Sequence, residues 1–258
     1  MPLSRADIQS LRALAGKKDR LASGKMLIEG ARLVAEALQA PGTVERLMVT
    51  DAFLAGDEWS RLAGLAGQQG LVPDSISAKQ AEQLSQTRSP QGIFALLDWP
   101  LRAPGKTAVA PPVLVLDAIA DPGNLGTLLR TADWFGLPSV YVSADSADIT
   151  NPKVVRSAMG AHFHLPQLLQ GDLMELPRQL ADRGVPILGA VLDGEPAAEL
   201  TPLSEWALVL GSEAHGLSPF WLERLDRRLT VAGGGAADSL NVTVAAGILL
   251  HRLREPAG

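Results

Sequence analysis

One arginine interrupts an apolar helical pattern in residues 121–136, DPGNLGTLLRTADWFG. At 100° per residue, Arg130 points away from the apolar face, which is formed by Leu125, Leu128, Leu129, Ala132 and Phe135. One interpretation is a solvated charge on the outer face of an amphipathic helix. The other is a cation directed into a site at the start of the helix, where a guanidinium supplies a lasting positive charge and several hydrogen-bond donors.

The turn before this helix has a composition that allows a cap or a ligand. Asn124 can cap the helix, and Gly126 lets a ligand or another backbone approach closely. The turn is neither a GxGxxG dinucleotide fingerprint nor a GxxxxGK[ST] phosphate loop. A capped turn without chemistry therefore explains it as well as a site does.

Two later loops carry polar residues whose presence is not fully explained by turns and helix caps. In 210–219, LGSEAHGLSP, turn formation and helix capping explain the glycines, Ser218 and Pro219, but not Glu213 directly after a predicted strand. In 231–254, Ser239 and Asn241 lie between a glycine-rich loop and a helix that is apolar nearly all round. Such a helix is expected in a core or a subunit interface, so both side chains must find partners, as helix caps, in a site, or both.

Other kinds of site find little support. His162 and His164 have no third ligand at a usable spacing, which argues against a metal site. Without cysteine the chain has neither disulfides nor thiolate metal ligands. A serine nucleophile elbow and its histidine and acid partners are also missing.

The second half of the chain alternates apolar runs with helical patterns, which predicts a mostly parallel sheet covered on both faces. The predicted strands are 113–119, 139–143, 186–191 and 206–211, and the predicted helices start at 125 and span 152–160, 172–184 and about 239–253. In such sheets ligands bind beyond the carboxyl ends of the strands, where the three loops lie.

The first hundred residues predict a separate small α/β domain. Its predicted helices span 26–40, 57–70 and 78–86, and its strands 44–50 and 91–99. Four prolines in 98–112 indicate a linker between two domains. We therefore divide the chain into residues 1–100, a linker at 101–112 and residues 113–258.

Charge is unevenly distributed between these parts. The net charge is −5, yet residues 1–106 carry 13 Lys and Arg against 11 Asp and Glu. A phosphate-backbone contact is therefore expected at the N-terminus, although a solvated basic face explains the pattern equally well. The candidate residues are Arg12, Lys17, Lys18, Arg20, Lys25 and Arg32. No apolar run could span a bilayer and no signal peptide is recognisable, so a cytoplasmic protein is expected.

Four segments together resemble the SpoU (TrmH-type) RNA 2′-O-ribose methyltransferases of the SPOUT superfamily, in the same order and spacing. They are DPGNLGTLLRTADWFG, NPKVVRSAMGAHFHLP, LVLGSEAHGLS and DSLNVTVAAGILLHRLR. The segment 28–38, IEGARLVAEAL, is similar to the ribosomal-protein-like RNA-binding domain that often precedes this catalytic domain.

The resemblance implies an α/β fold whose C-terminal segment forms a deep trefoil knot, an exception to the rule that chains are unknotted. It also implies a homodimer and S-adenosylmethionine as methyl donor. No metal is expected, since the histidines lack a third ligand. The family's catalytic positions correspond to Asn124, Arg130, Glu213, Ser239 and Asn241. Backbone groups that hold the donor correspond to Gly211, Val231 and Leu240, with the loop near Leu192 as a further contributor.

The implied activity is 2′-O-methylation of structured RNA, with 23S ribosomal RNA favoured over transfer RNA. Arg130 would hold the target phosphate and stabilise the developing 2′-alkoxide, or would act as base if the site favours its neutral form. Where the family usually has Ile-Pro-Met, residues 231–235 read VAGGG, which predicts weaker donor binding because the loop has more freedom to lose.

Two other functions remain for comparison. A non-catalytic RNA-binding or ribosome-assembly protein would keep the fold and lose the donor, and only the altered 231–235 loop favours it. A nucleotide-dependent oxidoreductase would need the fingerprint glycines and an acidic ribose ligand, which the chain lacks.

Overall fold

A computed structural model describes residues 3–40, 42–99, 108–201 and 203–254. The chain divides into two compact units. One contains the described part of residues 1–101 together with 150–163, and the other contains the described part of 102–149 and 164–258. Most of the predicted linker, residues 101–107, lies outside the described residues. The division expected from sequence places residues 150–163 in the second domain, whereas in the structure they belong to the first unit.

The first unit is built on a four-stranded sheet in the order β1-β4-β2-β3. β4 pairs antiparallel with β1 and β2, and β2 pairs parallel with β3. Its elements up to residue 98 are α1 (Arg5–Ala13), α2 (Lys17–Ser23), β1 (Lys25–Glu29), α3 (Ala31–Gln39), β2 (Val44–Thr50), α4 (Asp51–Leu54), α5 (Asp57–Gln68), β3 (Asp74–Ile76), α6 (Ala78–Leu84) and β4 (Ile93–Asp98).

Two apolar cores hold this unit together. One joins alternate strand residues to α3 and α5, with Val34 and Leu62 as examples, and it also takes in Val155 from the returning segment. The other joins α1 and α6, with Leu11 and Leu84, to Phe94 of β4. Alternating burial of the strand residues thus places helices on both faces of the sheet.

The single helix expected over 26–40 is wrong. Residues 25–29 form β1, in which Met26 and Ile28 are buried and their neighbours are half-buried. Gly30 follows with φ +103° and starts α3. A short apolar run satisfies a strand and a helix equally well, and here pairing with β4 decides for the strand.

The second unit is a six-stranded sheet in the order β10-β8-β9-β5-β6-β7, with every neighbouring pair parallel. This confirms the expected α/β fold with a parallel sheet. The remaining elements of the chain, of which α8 and most of α9 belong to the first unit, are in chain order β5 (Val113–Leu116), α7 (Pro122–Trp134), β6 (Ser139–Ser143), α8 (Pro152–Ala158), α9 (Ala161–His164), β7 (Gln167–Gly171), α10 (Leu176–Ala181), β8 (Ile187–Pro196), a 3-10 turn (Ala197–Glu199), β9 (Ala207–Leu210), α11 (Pro219–Leu222), β10 (Arg227–Thr230) and α12 (Val242–Arg254).

Burial explains why the central strands are continuous apolar runs. All four residues of β5 are fully buried, as are all four of β9. Val113 and Val115 share an apolar core with Tyr141 of β6 and with residues of α10 and α11. A strand covered on both faces needs apolar side chains at every position, and this is the pattern that the sequence displays. No helix in the described part of the chain is long and apolar enough to cross a membrane.

Candidate functional site

The carboxyl end of β5 is tied to the loop that follows β9 by a residue that the sequence reasoning missed. The Asp117 carboxylate is buried, and its Oδ2 accepts a hydrogen bond from the backbone N–H of Ser218 at 2.7 Å. The Asp117 N–H donates to the carbonyl of Leu210 at 2.9 Å. An acidic residue that ends an otherwise apolar strand is the signal that could have revealed it, since a buried carboxylate needs such partners.

Asp121, not Asn124, caps α7. The helix starts at Pro122, and the Asp121 carboxylate accepts from the backbone N–H of Asn124 at 2.8 Å. Asp121 is followed by proline in the first turn, an arrangement typical of helix starts. The expectation that Asn124 is the cap is therefore wrong, and the Asn124 side chain is left for other contacts.

The Asn124 side chain joins the three sequence motifs. Its Nδ2 donates a hydrogen bond to Oε1 of Glu213, from the loop after β9. Its Oδ1 accepts from Nδ2 of Asn241 at 3.5 Å, a long contact from the start of α12. Asn124 thus meets two polar side chains that lie 89 and 117 residues further along the chain, beyond the carboxyl edge of the sheet, where ligands bind in this class of fold.

Asn241 fills both of the roles considered for it. Its Oδ1 accepts from the N–H of Thr243 at 2.9 Å and from the hydroxyl of Thr243 at 2.6 Å, so it caps α12. At the same time its amide reaches Asn124. Contrary to expectation, Asn241 and Ser239 are exposed and not buried.

Arg130 lies on the outer face of α7. Leu125, Leu128 and Leu129 are fully buried and Arg130 is exposed, as the helical pattern predicts. Within the described part of the chain, neither Arg130 nor Ser239 makes a hydrogen bond or ion pair, so the structure does not join them to the other three residues. Arg130 lies about 9 Å beyond Asn124 along the helix axis, and long helical side chains lean back toward the N-terminus.

Of the four residues expected to hold a donor, Gly211 and Val231 follow strands, Leu192 lies within β8 and Leu240 lies just before α12. The pairing of β8 with β10 skips from Gly189 to Glu195, and Leu192 lies in the skipped part of β8. Gly211 directly follows β9 and Val231 directly follows β10. Any side chain at position 211 would collide with the backbone of Gly216 and Leu217, so only glycine fits there.

Apolar surface is left open around these strand ends. The Leu192 side chain is 74% exposed and Leu240 is 47% exposed. Residues 232–241 are all exposed. Backbone at strand ends beside uncovered apolar side chains suits a ligand that has both a flat apolar ring and polar edges.

A further uncovered surface runs along α7 and α12, which pack side by side. Asn124 lies next to Asn241 at one end, and the Phe135 and His251 rings lie 6.5 Å apart at the other. In these two helices Trp134 is 85% exposed, and Val244 and Ile248 are nearly half exposed. α12 is therefore not buried all round within one chain.

The basic residues predicted at the N-terminus divide into three groups. Arg20 is buried: its guanidinium donates to the carbonyls of Leu14 and Ala15 and to the Thr150 hydroxyl at 3.0 Å, so its assignment to RNA contact is wrong. Lys25 is partly covered and pairs with Glu45 at 2.5 Å. The exposed members of the set are Arg12, Lys17, Lys18 and Arg32.

The two histidines considered for a metal lie apart. His162 is buried in the first unit, with its ring 6.1 Å from that of Trp99. His164 belongs to the second unit, where its Nδ1 lies 3.0 Å from an Asp133 carboxylate oxygen. Among the described residues no group of three or more His, Asp or Glu could hold a metal ion.

Comparison with known proteins assigns a family model to each part of the chain. The model of the SpoU rRNA methylase family matches residues 111–251, and that of the MRM3-like substrate binding domain matches residues 5–95. The 23S rRNA (guanosine(2553)-2′-O)-methyltransferase RlmP of Bacillus subtilis is 37% identical over 248 residues, which cover 96% of this chain and 95% of that protein.

Solved structures agree over nearly the full length. The crystal structure of an RNA 2′-O ribose methyltransferase is 30% identical, with a TM-score of 0.82 and 98% of both chains covered. The SpoU methyltransferase AviRb from Streptomyces viridochromogenes, solved in complex with AdoMet, has a TM-score of 0.85 at 23% identity and 97% coverage of both chains. At that identity the likeness establishes the fold alone.

Proposed function

Because the chain belongs to the SpoU rRNA methylase family, we propose that it transfers a methyl group from S-adenosylmethionine to a ribose 2′-hydroxyl of ribosomal RNA. Its substrate is 23S rRNA rather than transfer RNA. The observation that carries the proposal is the meeting of Asn124, Glu213 and Asn241 beyond the carboxyl edge of the parallel sheet.

The residues around the strand ends fit the donor. Backbone groups of Gly211, Val231 and Leu240 would bond the polar edges of an adenosyl group. The exposed Leu192 and Leu240 side chains offer apolar surface to its ring. Glycine at 211 keeps the approach open, since a larger residue would collide with Gly216. When bound, S-adenosylmethionine supplies a methyl group that its sulfonium already activates.

The side chains of this chain then orient the hydroxyl and manage its charge. Arg130 holds the target phosphate and stabilises the negative charge that develops on the 2′-oxygen, because its guanidinium is a lasting cation with a fork of donors. Glu213 is fixed through Oε1 by Asn124, which leaves Oε2 to accept a hydrogen bond from the ribose. Asn241, which reaches Asn124, and Ser239, two residues before it, would complete the orientation of the substrate.

We assign recognition of the RNA to the first unit. The match of residues 5–95 to a substrate binding domain supports this role. The exposed basic residues Arg12, Lys17, Lys18 and Arg32 would meet the phosphate backbone there. The same proposal places the protein in the cytoplasm.

We also propose that two copies associate through the second unit. The uncovered face of α7 and α12, with Trp134, Val244 and Ile248, supports this assembly because a monomer rarely leaves such side chains in water together. A symmetric dimer would bury the patch against itself. The trefoil knot implied by the resemblance belongs to this proposal as well.

A methyl-transfer assay on unmodified 23S rRNA transcript tests the function. Radiolabelled S-adenosylmethionine should deliver label to ribose, detected as a nucleotide linkage that resists alkaline hydrolysis. Arg130→Ala should lose activity while it binds the donor with unchanged affinity by calorimetry. Comparison of 2′-O-methylated positions in total RNA from cells with and without the gene should identify the nucleotide.

Two results would count against the proposal. Unchanged turnover in Arg130→Ala would remove the role given to that residue. Failure of the wild-type protein to bind S-adenosylmethionine at all would favour the non-catalytic RNA-binding alternative, in which the open 231–235 loop no longer holds a donor.

A further inference from the structure

The loop between α6 and β4, residues 85–91, is fixed in place by a carboxylate. The Glu29 side chain, at the end of β1, accepts hydrogen bonds from the Ser85 hydroxyl at 2.8 and 2.9 Å and from the Thr87 hydroxyl at 3.0 Å. The backbone N–H of Gln86 adds a longer one at 3.3 Å. Four contacts occupy both oxygens of Glu29, so its charge is engaged within the fold.

The far end of the same loop is fixed to the start of α3. Oε1 of Gln91 accepts from the backbone N–H of Ala31 at 2.8 Å. A side chain at position 30 would press on this Gln91 oxygen, and Gly30 also has a φ of +103° that favours glycine. With both ends of the loop held, Arg88 and Ser89 are left exposed at its tip.

α8 reaches the same place from the returning segment of the first unit. Pro152, Val155 and Arg156 line one small cavity together with Glu29 and Gln86. Val155 is buried in the core shared with α3 and α5, which anchors the helix. The Arg156 side chain is consequently presented beside the loop and not toward open solvent alone.

Arg156 lines this cavity, and two further arginines lie next to lining residues along the chain: Arg32 precedes Leu33, and Arg88 is two residues after Gln86. Arg32 of α3, Arg88 and Arg156 make no hydrogen bond or ion pair with any residue in the described ranges. Arg46 and Arg227, by contrast, are paired: Arg46 with Asp74 at 2.5 Å and Arg227 with Glu195 at 2.6 Å. The Glu29 carboxylate, which lines the cavity, is engaged by Ser85, Gln86 and Thr87. Unpaired guanidinium forks on fixed elements match the geometry of phosphate groups.

We propose that Arg32, Arg88 and Arg156 form a phosphate-binding surface for the RNA substrate, and that Glu29 is a positioning residue that holds the Arg88 loop. The inference rests on the proposed function in that it takes ribosomal RNA as the partner. It adds Arg88 and Arg156, which the sequence pattern did not single out, and it moves the centre of RNA contact from α1 and α2 to the edge of β1.

Salt-dependent binding measures the number of phosphates involved. Unmodified 23S rRNA transcript is titrated with wild-type protein, Arg88→Ala, Arg156→Ala and the double variant at several KCl concentrations. Each lost contact should lower the slope of log K against log salt by about 0.7 to 0.9, which corresponds to about sixfold in affinity at 0.1 M salt. The matched control is Arg61→Ala on α5, which should leave the slope unchanged. Arg61 is exposed and, like the three arginines, has no partner among the described residues.

Methylation kinetics separate binding from chemistry. The double variant should raise KM for RNA while kcat and the Kd for S-adenosylmethionine stay as in the wild type. Glu29→Gln should reproduce part of the Arg88 effect, since it weakens the hold on the loop, and Arg88→Lys should retain most of the slope. Because Arg156 is half-buried, Arg88→Ala at the exposed tip keeps the test independent of any loss of folding.

The outcomes distinguish this inference from the proposed function. The inference is wrong if the arginine variants show the same slope of log K against log salt as Arg61→Ala while the wild type still methylates the RNA. The surface would then serve another partner, such as an acidic protein. If the slopes fall as expected but no ribosomal RNA is methylated, the surface is supported and the proposed function fails.

Discussion

Separate alanine substitutions of Asp121 and Asn124 distinguish a residue that caps α7 from a residue that acts in the site. Asp121 accepts from the first turn of the helix, whereas Asn124 uses its side chain on Glu213 and Asn241. Asp121→Ala should therefore destabilise the fold, and Asn124→Ala should mainly impair the reaction. The two substitutions are three residues apart, which makes each the natural control for the other.

The expected magnitudes follow from what each side chain contacts. Loss of a helix cap costs about 1 kcal/mol, equivalent to a fall in Tm of roughly 2–4 °C in a chain of this size. Asn124→Ala should change Tm by less than that, because Glu213 and Asn241 are exposed and water replaces the lost amide. Misplacement of a catalytic group by about 1 Å lowers the rate by about a hundredfold, and a similar fall in kcat is expected.

Single-turnover methylation of 23S rRNA transcript and thermal unfolding are measured on the same preparations. Asp121→Ser should restore the Tm lost in Asp121→Ala, since serine also caps helices. If Asn124 and Glu213 act as a unit, the double alanine variant should be no slower than Asn124→Ala alone. Glu213→Gln keeps an oxygen for Asn124 and removes the charge, so it isolates the charge from the geometry.

Two results would refute this reasoning. A lower Tm in Asn124→Ala with no change in Asp121→Ala would return the cap to Asn124. A wild-type rate in Asn124→Ala would mean that the meeting of the three side chains has no part in the reaction.

Three further expectations concern other parts of the second unit. Burial raises the pKa of Tyr141, the single tyrosine, above its ordinary value of about 10. The contribution of the neutral Tyr141 to stability is therefore complete below about pH 10 and is lost as the pH rises through the pKa of the folded protein. Tyrosinate absorbance should appear at higher pH in folded than in guanidinium-unfolded protein, and equal midpoints would contradict this. Val244→Asp with Ile248→Asp should convert a dimer to a monomer in sedimentation velocity, whereas unchanged sedimentation would exclude that face. Ala232→Pro with Gly233→Met should tighten S-adenosylmethionine binding about two- to fivefold by calorimetry, and no gain would show that loop freedom is not what limits affinity.

Much of the second unit could be predicted because its strands are buried on both faces. The run 139–143 is continuous and apolar, and the structure has β6 at those residues. The outward direction of Arg130 follows equally from helical periodicity. β7 and β10 could not be found in this way, since Gln167 and Arg227 are polar strand residues at the two ends of the sheet.

The contacts that decide the site could not be derived from local sequence. Asp121 and Asn124 are both good caps, and which of them caps depends on where the helix begins. Arg20 resembles any other basic residue until Thr150, far away in sequence, completes its hydrogen bonds. The edge position of β1 decides between strand and helix for 26–29, and that position depends on pairing with β4.

The return of residues 150–163 to the first unit limits how the gene can evolve. Val155 fills the core of that unit, and a side chain at Gly160 would collide with Glu36. Suppose recombination replaced only the first hundred codons with those of a relative. The new core and the new α3 would then meet an α8 to which they had not adapted, and the packing between them would suffer. The first unit and this internal segment are therefore expected to be inherited together, and compensating substitutions between them should recur among descendants.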